Sequence, residues 1–113
     1  MFGSPISVFL AVGPTDLRGT FDKLAAVTRK VLAKDPMSGA MYLFFNRRRN
    51  RLKVLWWDRN GYMLLYKRMF RGSFSIPTSM AAYGGACVQI HARDFADLLA
   101  GLPIARESMP TYH

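Results

Sequence analysis

Arg47, Arg48, Arg49, Arg51 and Lys53 place five cationic side chains within seven consecutive positions. A guanidinium presents a planar fork of donors that matches phosphate oxygens, and a lysine adds a compact point charge. The chemistry on offer is therefore the holding of a polyanion. Lys67, Arg68 and Arg71 follow, and between positions 46 and 74 nine basic residues face one acid, Asp58. Trp, Tyr, Phe, Leu and Met fill most of the remaining places. Such a mixture has three uses. It can stack unpaired bases on aromatic rings while cations hold phosphate. It can offer a β-ribbon to a duplex, with Arg47, Arg48 and Arg49 at the hairpin tip. It can also form a subunit interface, in which Trp57 is the anchoring aromatic. Alternation along strands assigns Trp56, Tyr62, Leu64 and Phe70 to the core. The nucleic-acid-binding set is then Arg47, Arg48, Arg49, Arg51 and Lys53, helped by Lys67, Arg68 and Arg71.

The acids do not suggest catalysis. Divalent-metal nucleases and transposases need two or three converging carboxylates. Asp16 suits the start of a helix, Asp35 precedes a helix-ending proline, and Asp58 begins a turn. Asp94 and Asp97 fit the first turn of a second helix, where carboxylates are favoured. His91 and His113 are isolated, and no nucleotide-binding glycine loop is present. No catalytic residue, metal or cofactor is expected, so the sequence reads as a non-enzyme.

The elements that must position the basic cluster follow from periodicity. Ile6 to Val12 is an apolar run stopped by Gly13-Pro14, read as a buried strand. Thr15 stands as the N-cap of a long helix, with Leu17, Phe21, Leu24, Thr28, Val31 and Leu32 on one face and Asp35-Pro36 at its end. Met41–Phe45, Leu52–Trp57 and Tyr62–Phe70 read as a three-stranded antiparallel meander, with Asn60-Gly61 marking the second turn. Short strands are expected near Phe74–Ile76 and Cys87–Ile90, separated by a loop. A short helix is expected over Arg93–Leu102. The chain is thus expected to be a single α+β domain over residues 1–103, its long helix packed on an antiparallel sheet, with a flexible tail over 104–113.

At 113 residues the chain is sized for one core, and half of it is hydrophobic. Sixteen basic against seven acidic residues give a net charge of +9, which favours a polyanionic partner, nucleic acid first and an anionic membrane surface second. Cys87 is the single cysteine, so no internal disulfide can form. The apolar run Ile6 to Val12 is too short to span a bilayer. A reducing cytoplasm is the expected compartment.

Several ordered motifs carry a family resemblance. They are Thr15-Asp16-Leu17-Arg18 with Phe21-Asp22, Asp35-Pro36 with Ser38-Gly39, and Lys53-Val54-Leu55-Trp56-Trp57-Asp58 with Asn60-Gly61. Lys67-Arg68, Arg71-Gly72-Ser73-Phe74 and Pro77 complete the set. In this order they resemble the TnpB-type accessory proteins of the insertion sequence sixty-six transposon family, from about Ile6 to Pro103. The resemblance implies a role in transposition beside a separate transposase that carries the catalytic acids. Joined to the charge, it gives the expected function: a non-catalytic DNA-binding accessory protein acting on transposon ends. The alternative is a protein-interaction module that docks on the transposase or self-associates without touching DNA.

Overall fold

Val-Phe-Leu-Ala forms β1 (Val8–Ala11), and all four residues are buried. An unbroken apolar run of this kind belongs to a strand covered on both faces. β1 indeed lies inside a mixed sheet, between β2 (Met41–Phe45) and β5 (Cys87–Ile90). The computed structural model describes residues 6–77, 85–104 and 111–112. The remaining elements are α1 (Phe21–Lys30), β3 (Arg51–Asp58), β4 (Gly61–Arg68), α2 (Ala92–Leu99) and the two-residue β6 (Thr111–Tyr112). Strand order across the sheet is β4-β3-β2-β1-β5-β6. The domain is therefore α+β, as the residue pattern implies.

Several details differ from the sequence expectation. The sheet is not antiparallel throughout, because β1 pairs parallel with β2 through Val8↔Met41 and Leu10↔Leu43. Helix α1 connects them, and a crossover of that length returns the chain to run the same way. β2, β3 and β4 then pair antiparallel in succession. The second turn is built on Arg59 and Asn60, with Asp58 opposite Gly61; Arg59, not a glycine, takes the left-handed φ of 55°.

Helix α1 is ten residues long and begins at Phe21, well after Thr15. The cause lies in the loop before it. The Lys53 ammonium donates to the carbonyls of Leu17 (2.6 Å) and Gly19 (2.7 Å), so both are held in a fixed loop. Asp16 turns its carboxylate onto Arg18 and Lys23. Leu24, Ala25 and Thr28 face the sheet, and the buried Thr28 hydroxyl donates to the Leu24 carbonyl (2.8 Å). Arg29 and Lys30 in the last turn suit the negative end of the helix dipole.

Side-chain alternation divides the core in two. Phe9, Tyr42, Phe44, Leu55 and Cys87 point to the side covered by Leu24 and Ala25 of α1. Val8, Leu10, Leu43, Phe45, Leu52, Val54 and Val88 point to the other side, covered by Leu98 of α2 together with Phe74 and Ile76. Phe74–Ile76 joins no ladder and turns so that Ile76 N donates to the Phe74 carbonyl (3.1 Å), so it is a core-packing segment rather than a strand. It is tethered where Phe74 N donates to the Arg49 carbonyl (2.7 Å). Cys87 is buried, and burial pushes its thiol pKa up, as suits a small apolar filler.

Both faces of the sheet carry a helix, yet β4 keeps exposed side chains on each, Met63 and Tyr66 among them. One further expectation is corrected. Phe70 is not core; it is 93% exposed. β4 ends at Arg68, and Met69 makes the last bond to the neighbouring strand, to the Asn50 carbonyl (2.8 Å). Beyond it the chain leaves the sheet, so alternation no longer points a side chain inward. Helix α2 closes at Leu99, with Gly101 at φ 80° just beyond. Of the stretch expected as a tail, Thr111 and Tyr112 pair with Gln89 and Val88.

Candidate nucleic-acid interface

The β2–β3 loop is ordered by Asn46. Its Oδ1 accepts from the backbone N–H groups of Asn50 and Arg51, both at 3.0 Å, and its Nδ2 donates to Asn50 Oδ1 (2.7 Å). Asn46 also accepts through its carbonyl from Arg49 N (2.9 Å), and Arg49 takes a φ of 58°. An asparagine that mimics backbone in this way fixes a turn without secondary structure. The result is a rigid tip on which Arg47 and Arg48 stand exposed.

Facing this tip is the pinned loop before α1. Thr15 N donates to the Phe45 carbonyl (2.8 Å), buried Leu17 anchors the loop, and Lys53 holds it from beneath. Between the two loops lies a cavity of about 480 Å³. Thr15, Asp16 and Arg18 line one wall; Asn46, Arg47, Arg48, Asn50 and Arg51 line the other. Four guanidinium groups and one carboxylate therefore meet in one groove.

That carboxylate is already engaged. Asp16 accepts from Arg18 Nε and Nη2 (3.0 and 2.7 Å), from Arg18 N (3.1 Å) and from Lys23 Nζ (3.2 Å). The bonds from Arg18 first, and that from Lys23 next, hold its pKa well below the ordinary carboxylate range. Arg47, Arg48 and Arg51 make no ion pair among the described residues.

The eight cations singled out in the sequence have separate fates. Arg47, Arg48 and Arg51 come together at the groove. Arg68 lies directly opposite Arg51 in the β3–β4 register and extends the basic rim. Like charges opposed across a ladder destabilise it unless an anion intervenes. Arg71 is exposed, its guanidinium 5.6 Å from the Phe70 ring. Arg49 points inward instead, donating to the Ile76 carbonyl (3.3 Å) and lying 6.0 Å from the Phe45 ring. Lys53 is 5% exposed, bound to two carbonyls and 4.9 Å from the Tyr66 ring centroid. Lys67 donates to the Leu99 carbonyl at the end of α2. These last three cations knit the fold together.

Trp57 packs edge-on against Tyr62 with ring centroids 5.0 Å apart. It stands six residues along β3 from Arg51, roughly 20 Å at strand rise, so it takes no part in the groove. Sequence reasoning passed over Asp16, Arg18, Asn46 and Asn50 as members of this site. The Thr15-Asp16-Leu17-Arg18 motif was the available signal; only the fold shows that it faces the arginine loop.

The described residues thus set an arginine-lined groove on a small α+β scaffold. Among the described residues no three His, Cys, Asp or Glu side chains gather. The chain belongs to the IS66 Orf2-like protein family, whose model matches residues 6–109. The family implies an accessory role in insertion-sequence transposition, in the company of a transposase. Two relatives come from Sinorhizobium fredii (strain NBRC 101917 / NGR234). Uncharacterized protein y4hO is 37% identical over 100 residues, 88% of this chain and 84% of the relative. Uncharacterized protein y4jC is 30% identical over 101 residues, 89% of this chain and 83% of the relative. No solved structure matches significantly. No helix among the described residues is long and apolar enough to cross a membrane.

Proposed function

We propose that this chain is a non-catalytic DNA-binding accessory protein that works with the transposase of its own insertion sequence, at the transposon ends. The observation that carries the reading is the groove between the pinned loop and the Asn46-ordered tip, where Arg47, Arg48 and Arg51 stand without carboxylate partners. Arg68 and Arg71 continue the same basic surface. The phosphodiester backbone is the ligand that matches this array, because it offers a line of single negative charges to forked donors.

Five exposed arginines contacting five phosphates on duplex DNA give a slope of log affinity against log salt of roughly −4.5. Mobility-shift titrations on transposon-end DNA and on random DNA, at several salt concentrations, measure it. Steep salt dependence on both, with tighter binding to the ends, supports the proposal. Absence of binding at low salt, or full binding after Arg47, Arg48 and Arg51 become alanine, removes it.

A further inference from the structure

The β4 strand ends the sheet on one side, eight residues long and bonded only to β3 among the described residues. Which of its backbone groups face outward follows from the register. Met69 N donates to the Asn50 carbonyl, and Asp58 opposes Gly61 across the two-residue turn. Antiparallel pairs alternate between bonded and non-bonded, so residues 61, 63, 65 and 67 exchange hydrogen bonds with β3. The N–H and C=O groups of Tyr62, Leu64, Tyr66 and Arg68 therefore point away from the sheet.

Natural edge strands are blunted by proline, bulges, brevity or inward-pointing charge. β4 has no proline and pairs with β3 without interruption across all eight residues. Tyr66 is 50% exposed and Met63 is 47% exposed, one on each face. Unpaired charge gathers at one end, where Arg51, Arg68 and Arg71 are exposed; at the other end the exposed Arg59 is paired with Asp58. Lys67 is engaged with α2 and does not shield the edge.

We infer that the β4 edge receives an extended, acidic segment of another protein as an added strand. Main-chain bonds to Tyr62, Leu64, Tyr66 and Arg68 supply the affinity, and alternate side chains supply the selectivity. Glutamates or aspartates of the segment meet Arg51 and Arg68, which share the face of Tyr62 and Tyr66, with Arg71 just beyond, while its apolar residues lie on the opposite face beside Met63. The net charge of +9 disfavours a second copy of this chain as the occupant. This edge shares Arg51, Arg68 and Arg71 with the proposed DNA contact, whereas Arg47 and Arg48 belong to that contact alone.

The probe is a blocked peptide as long as β4, with valine and glutamate alternating, added to the isotope-labelled protein and followed by amide exchange. The expected result is exchange slowed about tenfold or more at Tyr62, Leu64, Tyr66 and Arg68, the bonds of the added strand being the cause. Met63, Leu65 and Lys67, already bonded to β3, do not change. A peptide with lysine for glutamate gives no protection. Leu64→Pro removes one outward donor, which an edge strand tolerates, and abolishes binding while the remaining amides keep their dispersion. A glutamate peptide methylated on alternate amide nitrogens also fails on the unaltered protein, which guards against a proline variant that does not fold. Replacing Arg47 and Arg48 by alanine leaves peptide binding unchanged and so separates this inference from the DNA reading. Protection elsewhere in the domain, equal protection by the lysine peptide, or no protection by the glutamate peptide at low salt overturns the inference. Protection of the four amides that grows with protein concentration alone also overturns it, in favour of self-pairing.

Discussion

The lysines of the sheet and two arginines of the β2–β3 loop, Arg47 and Arg48, carry the same charge and meet opposite ends. Lys53 and Lys67 lie on strands, and each turns its ammonium onto backbone carbonyls at the end of a loop or helix. Arg47 and Arg48 stand on a loop whose own polar groups are satisfied by Asn46, and they face solvent. A long, flexible lysine beside a hydrophobic core can reach carbonyls that nothing else would satisfy. Arg47 and Arg48, on a rigid turn, make no such bond, whereas Arg49 beside them reaches the Ile76 carbonyl. Basic composition alone therefore overstates the exposed cationic surface; what separates the two groups is whether backbone within reach lacks a donor.

The largest effect that tests this contrast is on stability. Lys53→Met leaves the Leu17 and Gly19 carbonyls without their donor and is expected to cost about 2–4 kcal/mol. Urea unfolding of the variant measures it, and undiminished stability would mean that the ammonium is not structural. Next in size is the triple change of Arg47, Arg48 and Arg51 to alanine. It is expected to lower DNA affinity about 100-fold at moderate salt and flatten the salt slope by roughly 2.7, with unfolding unaltered. A loss of stability in that variant, or an unchanged slope, would erase the distinction between the groups.

A smaller effect is expected at Asp16. Asp16→Asn frees Arg18 and Lys23 from the carboxylate, and DNA affinity should rise a few-fold, with a salt slope steeper by about 1. Its sign with pH follows from the lowered pKa. The folded state favours the ionised carboxylate, so the contribution is full above the unfolded carboxylate pKa and is lost only as pH falls through a value well below the usual range. Affinity measured from pH 7 down to mildly acidic conditions should therefore show no step from this pair. Smallest of all, Phe70→Ser should change stability by no more than about 0.5 kcal/mol, because the ring is exposed.

The strands were legible because their apolar residues alternate or run unbroken. The exposure of Arg47 and Arg48 was legible because nothing local competes for them, while the inward turn of Arg49 onto the Ile76 carbonyl was not. Nor was the start of α1. Thr15 followed by Asp16 carries the marks of a helix cap, and only the arrival of Lys53, more than thirty residues later in the chain, reveals that the following carbonyls belong to a loop. The parallel pairing of β1 and β2 was implicit in a strand, a helix and a strand in succession, yet the later antiparallel strands dominate the sequence pattern. Lys53 shares a strand face with Leu55 and Trp57, and that company was the sign of a buried amine. The opposite wall of the groove was hidden because Arg18 lies far from the arginine loop in sequence.

The position of β1 has a consequence for how the chain comes together in time. β2, β3 and β4 are neighbours in sequence and can pair as soon as they exist. β1 has β2 on one side, but its other neighbour is β5, where Val8 meets Ile90 eighty-two positions later. Closing so long a loop before any contact rewards it is a slow step. The earliest of the described strands is thus among the last to be enclosed, and until β5 arrives its four apolar residues have an open ladder beside them. Production at lower temperature, or alongside a chaperone that shields extended apolar segments, should raise the yield of folded protein by protecting that unfinished edge.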